Sequence, residues 1–115
     1  MTNSVYNSMH IEILIEDVAK WHHDRNLIDG STDQAQFTKL IEEAGELAGN
    51  IARGRDVTDD IGDMLVVLIN IAERNNLSLK QCLNHSWQEI RHRKGKMVDG
   101  VFIKEADSVK PDDAV

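Results

Sequence analysis

Four segments of the chain carry apolar residues at the spacing of an amphipathic helix, and polar or glycine-containing stretches separate them. The predicted helices span approximately residues 9–25, 31–53, 56–76 and 78–94. Ser31, Thr32 or Asp33 can cap the second helix, and Gly54 is placed to end it. Because the loops are short, the helices are expected to pack as antiparallel neighbours, which predicts an all-α, four-helix bundle.

The second predicted helix has one acidic arc and one apolar arc. Lys39, Glu42, Glu43 and Glu46 share the first arc at about 100° per residue. The opposite arc holds Phe37, Leu40, Ile41, Ala44, Leu47, Ala48 and Ile51. Taken alone, this pattern is equally typical of a solvated acidic stripe.

The third predicted helix is apolar around nearly its whole circumference between residues 64 and 72, which predicts that it is buried. Asp60, Asp63 and Asn70 nevertheless lie on one side of it. Buried carboxylates need a partner, a proton or a metal, and the nearest cation on this helix, Arg74, lies beyond Asn70. A metal is the better explanation.

Residues three apart share a helical face, so Glu43 can converge with Glu46 and Asp60 with Asp63. Two antiparallel helices would bring these pairs together as a set of carboxylate oxygens, the ligands that Mg²⁺ and Mn²⁺ favour. These four residues are the predicted metal ligands. Since a single small chain can leave one side of the site uncovered, a homodimer or homotetramer is expected.

Composition and charge narrow the class of protein. The 115 residues suffice for one domain, predicted over residues 1–105, with a flexible acidic tail over 106–115. Aromatic residues are only 4% of the chain, which favours helices over a β-sandwich. The net charge of −7 argues against a nucleic-acid surface but not against a nucleotide bound through a cation. The absence of a signal-peptide pattern and of a long apolar run predicts a cytoplasmic protein without membrane contact.

At these acidic residues the sequence resembles the MazG-like, all-α nucleoside triphosphate pyrophosphohydrolases, whose motif is EExxE followed after a spacer by ExxD. Residues 42–46 read Glu-Glu-Ala-Gly-Glu, and after a spacer of 13 residues, residues 60–63 read Asp-Ile-Gly-Asp. The resemblance covers roughly residues 21–105. Asp60 departs from the motif, which has the longer Glu there, so Asp60 can reach the metal through water, or Asp59 or Glu42 can share its role.

The resemblance implies Mg²⁺-dependent cleavage of a ribo- or deoxyribonucleoside triphosphate between its α- and β-phosphates, with Mn²⁺ as a possible substitute. It implies metal ligation by Glu43, Glu46, Asp60 and Asp63. Glu42 is the candidate general base. Residues 97–104 also resemble the C-terminal segment of small members from bacteriophages, which would place the protein in the host cytoplasm.

Six further residues are candidates for binding substrate: Trp21, Lys39, Asn70, Arg93, Lys94 and Lys96. Lys39 can touch a phosphate or pair with Glu42 or Glu43. The three basic residues near Gly95 can hold a triphosphate or form a solvated run. Trp21 can stack on a base or belong to the core, and Asn70 can contact a base edge or sugar hydroxyl, or be a satisfied buried amide.

Two other functions compete with triphosphate hydrolysis. The alternative enzymatic activity is that of phosphoribosyl-ATP pyrophosphohydrolase, a relative with similar acid pairs. A helical assembly module without catalytic activity, binding Mg²⁺ structurally or not at all, is the alternative outside them. Base and sugar specificity depend on pocket shape and do not follow from the pattern.

Overall fold

The computed structural model describes residues 9–105, and within them the chain forms four helices and one β-hairpin. The helices are α1 (Ile11–Asp24), α2 (Asp33–Ala52), α3 (Thr58–Arg74) and α4 (Leu79–Ile90), and the strands are β1 (Gly95–Val98) and β2 (Val101–Lys104). The fold is thus mostly helical, as predicted, although α4 ends four residues early and the hairpin was not predicted. The predicted acidic tail over 106–115 lies outside the described residues.

The helix ends follow from local chemistry. Thr32 Oγ1 accepts a hydrogen bond from the backbone N–H of Ala35 at 3.0 Å, which identifies the N-cap of α2 among the three candidates. Gly54 follows α2 with a φ of 65°, the left-handed conformation that ends helices and favours glycine. Before α4, Ser78 Oγ accepts from the Gln81 N–H and Gln81 Oε1 accepts from the Ser78 N–H, forming a capping box.

The chain divides into two compact units, Met1–Gln81 and Cys82–Val115. In the first unit, α1 and α2 both pack on α3. The buried apolar side chains of the described residues are few, and most of them lie on α3: Ile28, Val67, Ile69 and Ala72. This small core leaves considerable apolar surface uncovered.

A buried polar network joins α1 to α3. Asn70 has no exposed surface, and its Nδ2 donates to the Leu27 carbonyl at 2.9 Å and to His22 Nδ1 at 3.2 Å. His22 Nε2 lies 2.9 Å from the Val66 carbonyl. Because a carbonyl only accepts, Nε2 of His22 carries the hydrogen and Nδ1 is the acceptor.

Over residues 64–72, for which burial all round was predicted, every residue of α3 is buried or half-buried except Leu65, which is exposed. Val67 and Ile69 are buried, whereas Leu65, and Ile61 one turn before it, are exposed towards the start of the helix. Ile61 and Leu65 remain exposed because the helices of one small chain cover only part of α3, and an apolar residue is not forced inside. Within residues 9–105, no helix combines the length and apolarity needed to cross a membrane.

The second unit contains the antiparallel hairpin of β1 and β2, in which Gly95 faces Lys104 and Val98 faces Val101. Asp99 and Gly100 connect the strands with φ values of 52° and 81°. Two successive positive φ angles are typical of a type I′ turn, for which Asp-Gly is a preferred sequence. An Asp-Gly pair between apolar residues was therefore an available but unused signal for this hairpin.

Candidate active site

The contact between α2 and α3 contains acidic side chains from both helices. Glu43 is 5% exposed and Asp60 is 4% exposed, although both carry carboxylates. Glu43 thus lies on the packed side of α2, together with half-buried Leu40 and Leu47, while Phe37 and other apolar residues of the predicted inner arc face outward. The packed face of α2 is therefore rotated relative to the sequence prediction.

The carboxylate of Glu43 is only half satisfied. Lys39 Nζ lies 3.3 Å from Glu43 Oε1 and 3.9 Å from Glu42 Oε1. Hydrogen bonding to Glu43 and the charges of Glu43 and Glu42 raise the pKa of Lys39, so its ammonium stays charged. Glu43 Oε2 is buried without a hydrogen-bond partner among the described residues. An acceptor in this state calls for a cation or a proton donor.

Asp60 is held by a neighbouring helix. Asn50, near the end of α2, donates from Nδ2 to Asp60 Oδ2 at 2.8 Å. This bond joins the end of α2 to the first turn of α3 and sets the direction of the Asp60 carboxylate. Asn50 was missed in the sequence, although it follows Glu46 by four residues and Glu43 by seven, a spacing that places all three on one face.

Asp63 is surrounded by other acids. Burial raises its pKa first, the negative charges of Asp59 and Glu43 raise it further, and hydrogen bonding of the protonated form to Glu43 and the charge of Asp60 add to the effect. Its ionised form is thus disfavoured where it stands. The structure brings Glu43, Asp60 and Asp63 into one electrostatic cluster, to which Asp59 also contributes.

Glu46 and Glu42 are placed differently from the other acids. Both are exposed on α2, and Glu46 acts on Lys39 through its charge. Among residues 9–105, no group of three or more His, Cys, Asp or Glu side chains is arranged so that it could hold a metal ion. The four predicted ligands therefore do not form a closed cage in this conformation.

The residues present nevertheless suit a hard divalent cation. Glu43 offers a buried oxygen without a partner, and Asp63 is an acid whose charge lacks compensation. Carboxylate oxygens are the preferred ligands of Mg²⁺, and a cation would stabilise the ionised forms of both groups. Glu43 and Asp63 are therefore the two residues whose chemistry best suits a divalent cation.

Two of the predicted substrate contacts have other roles in this structure. Asn70 has no exposed surface and bonds His22 and Leu27, so it is a scaffold amide and not a side chain open to a base. Lys39 is paired with Glu43, as the alternative interpretation held. The contacts of Asn70 come from the fold and are invisible in the pattern, whereas the pair of Lys39 with Glu43 joins residues four apart on one helix.

Trp21 borders an open depression of about 410 Å³, whose other lining residues include Leu14, Val18 and Val66. The ring is 43% exposed, which places it at the surface and not in the core. The Arg25 guanidinium lies 4.5 Å from its centroid, a cation–π contact. Trp21 thus keeps surface on which an apolar or aromatic group can lie.

The three basic candidates lie in the second unit. Arg93 and Lys94 are exposed in the connection between α4 and β1, and Lys96 is exposed in β1. Among residues 9–105 their side chains form no hydrogen bond or ion pair. They differ in this from Lys39 and Arg74, which pair with acids.

Comparisons with known proteins agree with the pattern of acids. The family model described as the MazG nucleotide pyrophosphohydrolase domain matches residues 31–98, which is more than half of the chain and runs from the start of α2 to the end of β1. The chain is 41% identical over 69 residues to a protein of Haemophilus phage HP1 described as "Uncharacterized 18.2 kDa protein in rep-hol intergenic region". That similarity covers 58% of this chain and 42% of the phage protein, so the chain spans less than half of its relative. No solved structure matches the chain.

Proposed function

Because the chain belongs to the MazG nucleotide pyrophosphohydrolase family, we propose that it hydrolyses ribo- or deoxyribonucleoside triphosphates to the monophosphate and pyrophosphate in the presence of Mg²⁺. The observation that carries this proposal is the unpartnered, buried Oε2 of Glu43 beside Asp63, whose pKa is raised. A pair of carboxylates in this state is better suited to binding a cation than to stabilising the helices.

Glu43 and Asp63 would hold the cation, with Asp60 and Glu46 completing its ligands. Asn50 keeps Asp60 directed by its 2.8 Å hydrogen bond, which suits a carboxylate one methylene shorter than the family's usual Glu. A bound Mg²⁺, or Mn²⁺ in its place, supplies neutralisation of the phosphate charge and a lower pKa for water. The chain supplies the positions of the ligands.

The proposed reaction needs a base. A water oxygen bonds to one phosphorus of the substrate, the α–β anhydride bond breaks, and pyrophosphate leaves while the water gives up a proton. Glu42 is the proposed acceptor of that proton, since its exposed carboxylate adjoins Glu43 on α2. Lys39, whose ammonium lies between Glu42 and Glu43, is the proposed contact to a phosphate oxygen.

The test is an assay of the purified chain with Mg²⁺ or Mn²⁺, the common ribo- and deoxyribonucleoside triphosphates, and phosphoribosyl-ATP. We expect monophosphate and pyrophosphate as products, loss of turnover in EDTA, and at least about a hundredfold loss in Glu43→Gln. Glu16→Gln, an exposed acid on α1, is the control and should retain activity.

Two results would contradict the proposal in different ways. A turnover of phosphoribosyl-ATP far above that of every triphosphate would assign the chain to the alternative substrate class. No turnover of any compound by a folded chain, judged by its helical circular dichroism, would favour the assembly module without catalytic activity.

A further inference from the structure

Residues 82–105 have a net positive charge, whereas the chain as a whole has a net negative charge. Residues 82–105 contain five Lys or Arg and three Asp or Glu, whereas the whole chain has 13 and 20. Arg93, Lys94 and Lys96 are unpaired among the described residues, as noted above, in a protein that otherwise has an excess of acids. Such a cluster is available for an anion supplied from outside the chain.

These cations line a concavity together with an aromatic ring. Arg93, Lys94, Gly95, Lys96 and Phe102 border an open cleft of about 650 Å³ within the second unit. This volume lies within the roughly 300–1,000 Å³ of small-molecule sites. Glu105 also lines the cleft, so the lining holds three cations and one acid.

Gly95 determines where the aromatic ring lies. A Cβ built on Gly95 would lie 2.5 Å from Cζ of Phe102, so the absence of a side chain lets the Phe102 ring lie across the strand. The ring is 46% exposed, and one of its surfaces is therefore open beside the cations. An aromatic face next to several cations is a common way to bind a base and its phosphates together.

We propose that this cleft binds the polyphosphate chain of a nucleoside triphosphate through Arg93, Lys94 and Lys96, with the base against Phe102. The identity of the ligand as a nucleotide rests on the proposed function, whereas the affinity for polyphosphate does not. An intact triphosphate and released pyrophosphate both contain linked phosphate groups that these cations could bind. Comparing their affinities for the chain shows which of the two the cleft prefers.

The experiment measures binding to the full chain in EDTA, where hydrolysis is not expected. Sodium tripolyphosphate, pyrophosphate and an α,β-methylene deoxynucleoside triphosphate are titrated by calorimetry. We expect the methylene analogue to bind more tightly than tripolyphosphate, and tripolyphosphate more tightly than pyrophosphate. Pyrophosphate as the tightest of the three would identify a product site and overturn the assignment to the substrate.

The main variant combines Arg93→Gln, Lys94→Gln and Lys96→Gln. It should weaken tripolyphosphate binding by at least about tenfold, since charge-assisted hydrogen bonds are lost. The matched control combines Lys20→Gln, Arg55→Gln and Lys80→Gln, which remove the same charge outside the cleft and should change binding by no more than about twofold. Equal losses in the two triple variants would overturn the proposal, because net charge alone would then explain binding.

Phe102→Leu tests the position of the base. It should weaken binding of the methylene analogue about tenfold, because stacking of one base is worth roughly 1–3 kcal/mol. The affinity for tripolyphosphate, which has no base, should not change. An unchanged affinity for the analogue would overturn the contact with the base. If the triple variant does not fold, Lys96→Gln alone serves, with Lys20→Gln as its control.

Two further outcomes separate this inference from the proposed function. A wild-type chain that hydrolyses triphosphates but does not bind tripolyphosphate would overturn the cleft and leave the hydrolase proposal intact. A chain that binds tripolyphosphate through the cleft without hydrolysing any triphosphate would overturn the hydrolase proposal and leave the polyphosphate site intact. Displacement of tripolyphosphate by a single-stranded oligonucleotide of much higher affinity would assign the cleft to nucleic acid and overturn the proposal.

Discussion

Glu43 and Asp63 place two carboxyl groups in the contact between α2 and α3, where water solvates them incompletely. Glu43 keeps one oxygen without a partner, and the pKa of Asp63 is raised by burial and by neighbouring acids. Such groups lower the stability of the fold, and replacing them often raises it. Natural proteins therefore keep them mainly where function requires them. At the scale of single residues, these two carboxyl groups therefore lower the stability of the fold and make the site suitable for a cation.

Asp63→Asn should stabilise the metal-free chain at pH 7. The pKa of Asp63 is raised in the folded chain above its ordinary 3.8, so its ionised form destabilises the fold at pH values above the folded pKa. As the pH falls through the folded pKa towards 3.8 the penalty disappears, and the difference between the two chains should disappear with it. Urea denaturation in EDTA at pH 7 and pH 3.5 measures this.

The control for Asp63→Asn is Glu16→Gln, an exposed acid on α1 that should not alter stability at either pH. A less stable Asp63→Asn chain at pH 7 would show that the ionised carboxylate has a compensating partner. The same variant should lose triphosphate hydrolysis, so stability and activity would change in opposite directions.

Asn50→Ala should destabilise the chain by about 1–3 kcal/mol, because it removes the donor to the buried carboxylate of Asp60. Asn84→Ala removes an exposed amide that accepts from Gln88 and should change the free energy of unfolding by less than about 0.5 kcal/mol. Thermal and urea unfolding measure both. Equal effects of the two substitutions would mean that water replaces the Asn50 donor.

Helix α2 shows how two glycines of one element have opposite energetic roles. Gly54 follows the helix with a positive φ of 65°, whereas Gly45 lies inside it, between Glu43 and Glu46. A Cβ built on either would meet no atom within 4 Å, so backbone conformation alone distinguishes the two sites. Positive φ disfavours Ala, and a helix interior favours it.

Gly54→Ala should accordingly cost about 1–2 kcal/mol, while Gly45→Ala should stabilise the isolated chain by roughly 0.5–1 kcal/mol. Each substitution is the control of the other, since both add one methyl group to the same helix. Denaturation monitored by circular dichroism is the measurement. A destabilising Gly45→Ala would indicate that another chain packs closely against this part of α2.

Among the described residues, apolar side chains are exposed in patches on α2 and α3, and such patches often mark interfaces between proteins. Phe37 and Ile41 are each 55% exposed on α2, and Ile61 and Leu65 are exposed on α3, while only four apolar side chains are buried among the described residues. The pairs lie four residues apart, so each forms a continuous patch on its helix. We propose that a second copy of the chain covers these patches, in a homodimer or homotetramer.

Light scattering after size-exclusion chromatography should therefore give at least twice the mass of the 13.0 kDa chain. Ile41→Glu should shift the equilibrium towards monomer by at least about tenfold, because it places a charge in an apolar contact. Gln34→Glu adds the same charge at an exposed position of α2 and should leave the assembly unchanged. A monomeric wild-type chain would contradict the proposal.

The sequence determined the four helices, most of their ends and the family. These features depend on local interactions, such as the Thr32 cap, the Gly54 terminus and the acids of residues 42–46 and 60–63, all of which are visible within a few residues. The membership predicted from those acids is confirmed by the match over residues 31–98. The hairpin was not predicted, although its turn signal, Asp99-Gly100 between apolar residues, is equally local.

Tertiary structure alone decided which faces are inside. The acidic and apolar arcs of α2 are both wide, and only the position of α3 selects the side that holds Glu43 and leaves Phe37 in solvent. The same is true of the partners chosen across the fold: Asn50 for Asp60, and His22 for Asn70, which are 10 and 48 residues apart. Helical periodicity specifies a face, but the packing of separate helices specifies what that face contacts.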